Sequence, residues 1–290
     1  MFANEFYGKT VVVTGASRGL GLHIAEAFWN RGADLFLVAR SADALASLGE
    51  RFGGGARKGQ RVRHLPADLA EPSAANAIFE ALERFSGRLD VLVNNAAIVG
   101  PIGPVEENDW PLWQRAIQVN LLAPVALCRL AIGRMKAQGG GVIVNLSGGS
   151  ATSPRPFFSA YAAAKAGLAR FSETAAAEAA RHGIRVNSIA PGAMNTEMHD
   201  AVLRAGPEMA GETEYRKALE QAERGGSSPL TPSELAVFLA SDAAAHISGK
   251  LISAVWDPWT DLASRAAELA RSDIYTLRRI VPEDRGLQWT

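Results

Sequence analysis

The stretch "TVVVTGASRGLGLHIAEAFWNRGADLFLVAR", Thr10 to Arg40, decides the fold. "TVVVTG" is a short β-branched run ending in glycine, "GLGLHIAEAFWNRG" has helical periodicity and stops at Gly32, and "ADLFLVAR" reads as a buried strand. Together they make a β-α-β unit. The alternation continues through "RVRHLPADL" (strand), Pro72 to Phe85 (helix), "LDVLVNNAA" (strand), Pro111 to Lys136 (helix), "GGVIVNLSGG" (strand), Ala160 to Arg181 (helix) and "IRVNSIAPG" (strand). The strands are apolar almost throughout, as strands covered on both faces are. This order predicts an α/β fold: a doubly wound, mostly parallel sheet between two helical layers, joined by right-handed crossovers.

Composition excludes several classes of function. A chain of 290 residues, 48% hydrophobic and 21% charged, is long enough to bury a large core. Lys+Arg and Asp+Glu both number 30, so no basic surplus points to nucleic acid or to an anionic membrane. The single cysteine, Cys128, lies in the apolar run "APVALCRLAI" and reads as a core residue, and one thiol suits a reducing cytoplasm. The start "MFANEFYGKT" lacks the pattern of a signal peptide, and no apolar run is expected to span a membrane, so a soluble cytoplasmic protein is expected. Five scattered histidines, His23, His64, His182, His199 and His246, have no ligand spacing, and no metal site is expected.

Two features point to a dinucleotide. In "TGASRGLG", Gly15, Gly19 and Gly21 sit between strand and helix, where glycine lets the backbone turn sharply and approach a diphosphate at the helix N-terminus. The second strand then ends Val38, Ala39, Arg40, without the acidic residue that holds an unphosphorylated ribose. Arg18 and Arg40 could converge on a 2′-phosphate, which favours NADP over NAD, with NAD still possible. A third feature is catalytic. In "FFSAYAAAKAGL", Tyr161 and Lys165 fall one helical turn apart on one face, close enough for the ammonium to act on the phenol.

"TGASRGLG", "NNAA" (Asn94 to Ala97), Asn120 in "IQVNLLAP", "NLSGGS", "YAAAK" and "APGAMNT" occur in the order and roughly the spacing of the short-chain dehydrogenases/reductases. Residues 8 to 255 resemble the single-domain branch of that family. The resemblance implies a Rossmann fold and reversible hydride transfer between a nicotinamide and a carbonyl or alcohol. It implies Tyr161 as general acid in reduction and base in oxidation, Lys165 as the group that lowers its pKa and holds the nicotinamide ribose, and Asn120 as support for a proton relay. It also implies cofactor contacts from Gly15, Ser17, Arg18, Gly19, Leu20, Gly21 and Arg40. Asp68 and Leu69 would meet the adenine, Asn94 and Ala96 the adenosine ribose, and Pro191, Gly192, Met194 and Thr196 the nicotinamide. A small carbonyl or alcohol is the expected substrate, and a homodimer or homotetramer the expected assembly. The alternative is a dinucleotide-binding regulator with lost or weak turnover.

Two departures from the family pattern stand out. Gly148 falls where the family's carbonyl-polarising serine belongs; Ser147 and Ser150 flank it, Ser147 being preferred, and a weakened clamp or none is the other option. The chain also continues past the usual end of the family as residues 256–290, in which Asp261 to Arg271 has helical spacing and is expected to dock on the catalytic domain (1–255) or on a neighbouring subunit. Within that domain residues 196–229 interrupt the alternation after a strand end, the place for a lid. Trp110 and Trp113 read as packing residues, while Phe157 and Phe158 fit substrate contact and core packing equally well.

Overall fold

The computed structural model describes residues 5–57 and 59–289. Seven strands, β1 (Thr10–Thr14), β2 (Asp34–Ala39), β3 (Val62–Pro66), β4 (Val91–Asn94), β5 (Gly141–Leu146), β6 (Ile184–Ala190) and β7 (Leu251–Ser253), form one sheet in the order β3-β2-β1-β4-β5-β6-β7. Every neighbouring pair is parallel. The helices are α1 (Gly19–Trp29), α2 (Ala42–Gly54), α3 (Ala74–Phe85), α4 (Trp110–Ile117), α5 (Ala123–Gln138), α6 (Ser159–Ala179), α7 (Glu197–Ala210), α8 (Glu212–Arg224), α9 (Leu230–Ala240) and the short α10 (Ala266–Ala270).

The period of two along each strand divides the core between the faces. Val11, Val13, Leu35 and Leu37 pack with Ile24 and Phe28 of α1, Leu45 of α2 and Leu235 of α9. Val12, Phe36 and Ile143 pack on the other side with Ile78 of α3, Leu127 of α5 and Ala175 of α6. This is the three-layer Rossmann arrangement. β1 has β2 on one side and β4 on the other, so the winding reverses there, and the carboxyl ends of these strands open a crevice.

Three local differences from the sequence reading have physical causes. The helix expected over 111–136 is broken by a π turn, Gln118–Leu122, in which the Ala123 N–H reaches back to the Gln118 carbonyl. Pro124 has no N–H to offer the Asn120 carbonyl in α-helical register, which favours the wider turn. Trp110–Gln138 taken together is long and apolar enough by composition to cross a membrane, contrary to the expectation that no run would be. Its inner side is nevertheless core: Val119, Ala123, Leu127, Cys128, Ala131 and Met135 are buried against the sheet.

The helix expected over 261–271 is split into a 3₁₀ turn, Trp259–Ser264, and α10. The Leu262 carbonyl accepts from His246 Nε2 at 2.8 Å and from the Arg265 N–H at 3.1 Å, the i→i+3 bond that closes the 3₁₀ turn. The segment beyond β7 docks on its own chain: Lys250 Nζ donates to the carbonyls of Ser272 (3.1 Å) and Ile274 (2.8 Å), and the Leu251 N–H donates to Tyr275 O (2.8 Å). Leu262 and Leu269 anchor it in the core. Residues 196–229 fold chiefly as α7, kinked at Gly206 and Pro207, and α8, which together wall one side of the crevice.

Candidate active site

A cleft of about 1540 Å³ runs across the carboxyl ends of the strands. At one end α1 starts at Gly19 behind an extended Arg18 whose side chain does not cap it, so the first N–H groups of the helix have no side-chain acceptor. Gly15 and Gly19 have φ of +65° and +54°. A Cβ on Gly21 would lie 2.2 Å from the Gly15 carbonyl oxygen, so only glycine lets helix and turn approach this closely. A Cβ on Gly19 would meet nothing within 4 Å, which marks the open side of the cradle. These features fit a dinucleotide diphosphate.

The other residues expected to hold the cofactor fall along the same cleft, with one exception. Ser17, Leu20 and Arg18 line it from the glycine turn, Arg40 from the end of β2, Asp68 and Leu69 from beyond β3, and Ala96 from beyond β4. Arg18 is paired with Glu197 at the start of α7, which ties the glycine turn to the helical wall, while Arg40 is exposed and carries no hydrogen bond among the described residues. Asp68 accepts from the Ala70 N–H and from Arg115, and that N–H, followed by Arg115 and Arg40, holds its carboxyl below the usual range. Pro191, Gly192, Met194 and Thr196 form the far wall after β6.

Asn94 is the exception. Its side chain is buried and donates to Asn145 Oδ1 (2.8 Å) and toward Cys128 Sγ (3.3 Å), tying β4 to β5 and α5 instead of facing the cleft. Asn95, passed over in the sequence, lines the cleft and donates to Thr14 O (2.9 Å). Period-two alternation at a strand end could have flagged it, because one of two adjacent asparagines must face away. Cys128 is fully buried, and burial pushes its thiol up to about 12, as suits a core residue.

At the other end α6 presents Tyr161 and Lys165 one turn apart, both buried and both lining the cleft. Lys165 Nζ donates to Leu146 O at 2.6 Å and lies 5.5 Å from the Tyr161 ring centroid. Burial lowers the Lys165 pKa to about 8. The Tyr161 phenol is raised by its burial, and the charge that opposes this is Arg155, not Lys165 as expected from the sequence. Asn120 is fully buried in the π turn, where Oδ1 accepts from the Ile98 N–H (2.9 Å) and Nδ2 donates to the Ile98 carbonyl (2.7 Å). Its amide therefore fixes the turn, and its backbone carbonyl is the one deprived of an α-helical donor.

Ser147 and Ser150, the two candidates for the missing hydroxyl, both line the cleft. Ser147 Oγ is buried and donates to the Lys165 carbonyl at 3.1 Å, because alternation along β5 turns it toward α6. A Cβ on Gly148 would stand 3.8 Å from Tyr161 Oη, so the side chain absent there is the one that would face the phenol. Ser150, on the following 3₁₀ turn (Gly149–Ala151), lines the cleft, and its buried Oγ has no hydrogen-bond partner among the described residues. Phe158 is fully buried, whereas the partly buried Phe157 packs with the α7–α8 wall. Trp113 donates to Ser159 Oγ (3.0 Å) at the foot of α6 and stacks on Trp110, which is itself exposed.

The family model for the short chain dehydrogenases matches residues 9–205, which takes in the glycine cradle, the π turn and α6. The chain belongs to the short-chain dehydrogenase family. Among its relatives, 3beta-hydroxysteroid dehydrogenase 1 of Eggerthella lenta is 38% identical over 251 residues, 85% of this chain and 92% of that one. The D-beta-hydroxybutyrate dehydrogenase of Rhizobium meliloti is 34% identical over 252 residues, 84% and 96% of the two chains. Of solved structures, L-sorbose reductase from Gluconobacter frateurii, complexed with NADPH and L-sorbose, superposes with a TM-score of 0.76 at 31% identity, covering 87% of this short-chain dehydrogenase and 97% of that chain. A steroid, a hydroxy acid and a sugar stand in those three names, so the family fixes the chemistry and leaves the substrate to the walls of the cleft. Among the described residues no group of three or more His, Cys, Asp or Glu side chains is placed to hold a metal.

Proposed function

We propose that this dehydrogenase is an NADP(H)-dependent oxidoreductase interconverting a carbonyl and a secondary alcohol. The observation that carries the proposal is that one cleft joins the glycine cradle, with Arg18 and Arg40 at its rim, to the buried Tyr161–Lys165 pair. When bound, the dinucleotide supplies or accepts the hydride; the side chains of this chain handle the proton. Tyr161 gives its phenolic proton to the carbonyl oxygen in reduction and takes it back in oxidation. Burial pushes the phenol up from its ordinary value, which favours the protonated form that reduction uses. Lys165 spends one of its three N–H donors on Leu146 O and has two left for the nicotinamide ribose. Ser150 is the hydroxyl best placed to steady the carbonyl oxygen, being in the cleft and unpaired. Arg40, free of any hydrogen-bond partner among the described residues, and Arg18, once released from Glu197, are the groups for a 2′-phosphate.

The lone buried thiol suits a reducing, cytoplasmic setting, and a homodimer or homotetramer belongs to the same proposal, read by light scattering. Titration with NADPH and NADH, followed by a screen of ketones and secondary alcohols at the nicotinamide absorbance, tests the activity. NADPH oxidation by at least one ketone is expected; tighter binding of NADH than of NADPH contradicts the cofactor assignment. Gly148 favours a second reading, a dinucleotide-binding regulator, since no side chain at that position faces the phenol. Cofactor binding with no turnover across the screen would support it.

A further inference from the structure

Arg155 lies six residues before Tyr161, on the loop that leads into α6, and the sequence gives no hint of a role for it. It lines the cleft with Tyr161 and Ser150. Its guanidinium is held on two sides: Nε donates to Glu214 Oε2 of α8 at 2.8 Å, and the carbon at its centre lies 3.9 Å from the ring centroid of Phe158. Phe158 is fully buried and cannot move aside. The loop carrying Arg155 is also pinned. The Phe158 N–H donates to Arg155 O, and Phe157, with φ +69°, accepts from the Gly103 N–H at 2.9 Å. A phenylalanine in the left-handed region is strained, and such strain persists only where the surroundings impose it.

The third side of Arg155 is open. Its two terminal amino groups make no hydrogen bond or ion pair among the described residues, although the side chain is only 26% exposed. The local charge does not cancel either. Glu214 accepts from Lys217 Nζ (3.1 Å) as well as from Arg155, so two cations share one carboxylate. Burial pushes the Glu214 carboxyl up, but the hydrogen bonds from Arg155 and Lys217 outweigh it and hold the group ionised, below its usual range. Of the other lid acids facing the cleft, Glu197 is paired with Arg18, while Asp200 is largely exposed and lies 3.4 Å from His199 Nδ1, a pair that is ionic only when the imidazole is protonated. Between Arg155 and the rest of the wall the lid contributes Met198, Val202 and Ala218, an apolar stretch.

We propose that Arg155 is the substrate-anion receptor of this dehydrogenase, and that the substrate is an oxo or hydroxy acid whose carboxylate sits on the free edge of the Arg155 guanidinium while its carbonyl or alcohol meets Tyr161. A planar carboxylate matches the end-on pair of Arg N–H groups, and a single spare positive charge suits a monoanion. The apolar stretch takes the carbon chain between the two ends. This proposal rests on the oxidoreductase reading above for its reaction, but not for the anion site itself.

The test separates the two. Isothermal titration of the protein, alone and with NADP⁺ added, with butanoate, pentanoate and hexanoate against their amides reads anion recognition without turnover. At least one acid is expected to bind about tenfold to a hundredfold tighter than its amide, the range of a charge-assisted contact. Arg155→Leu should bring that ratio close to one, and Arg155→Lys, which keeps a point charge and loses the fork, should lower it severalfold. If Arg155→Leu does not fold, Arg155→Lys decides. Equal binding of acid and amide by the parent protein, or an unchanged ratio in the variant that folds, overturns the proposal. Reduction of butanone and cyclohexanone, measured alongside, reports on the oxidoreductase reading alone, so each idea can fail without the other.

Discussion

Lys165 makes a quantitative link between burial and stability. Lys165 is 2% exposed, and burial takes its pKa from 10.5 to about 8 even with Leu146 O as acceptor. At ~1.4 kcal/mol per tenfold, carrying that charge at neutral pH costs the folded state about 3 kcal/mol. The sign follows from linkage. The folded pKa lies below the unfolded one, so between pH 8 and 10.5 the unfolded chain binds more protons, and stability contributed by this group rises with pH through that window. Lys165→Met keeps the length of the side chain and removes the titration. Urea denaturation of parent and variant in parallel at pH 7 and pH 10 cancels the groups they share. The parent should gain about 2–3 kcal/mol on the variant between the two pH values. The same titration should give the parent's kcat/KM a limb near pH 8, with activity falling above it as the ammonium is lost. A stability difference that does not change with pH would refute the assigned burial cost, and with it the account of how Lys165 is held.

Further outcomes are open to measurement. Arg40→Ala should weaken NADPH binding by about tenfold to a hundredfold and leave NADH almost unchanged, the loss of one charge-assisted phosphate contact; fluorescence titration of both cofactors checks it. Ser150→Ala should lower kcat by about a hundredfold, as loss of an oxyanion-type donor does, while Ser147→Ala should act chiefly on thermal stability because its hydroxyl serves the Lys165 carbonyl. Steady-state rates and melting curves for the pair decide, and unchanged turnover in Ser150→Ala points to a cleft with no hydroxyl clamp.

The fold was legible because its signals are periodic and repeated. "TVVVT" alternates between two cores, and β1 and β4 are followed at the cleft by Gly15 and Asn95. The glycine cradle could be read because Gly21 has no substitute at 2.2 Å from a carbonyl. What was missed depends on directions that sequence spacing does not carry. Ser147 and Gly148 are adjacent, yet one side chain faces α6 and the position of the other faces Tyr161. Asn94 and Asn95 divide in the same way between interior and cleft. The π turn had one local signal, Pro124, which a uniform helical pattern concealed. Arg155 had none, since its partners Phe158 and Glu214 are brought together only when α8 closes over the loop.

The central claim is that Tyr161 transfers the proton in a cleft whose cofactor cradle does not depend on it. Tyr161→Phe keeps the ring and removes the phenolic hydroxyl. The decisive measurement pairs single-turnover reduction of the best ketone by NADPH-loaded protein with the NADPH dissociation constant of the same preparation. A rate lowered by about a hundredfold or more, with the dissociation constant within about threefold of the parent, is the predicted result. A variant that reduces the ketone at the parent rate would contradict the account.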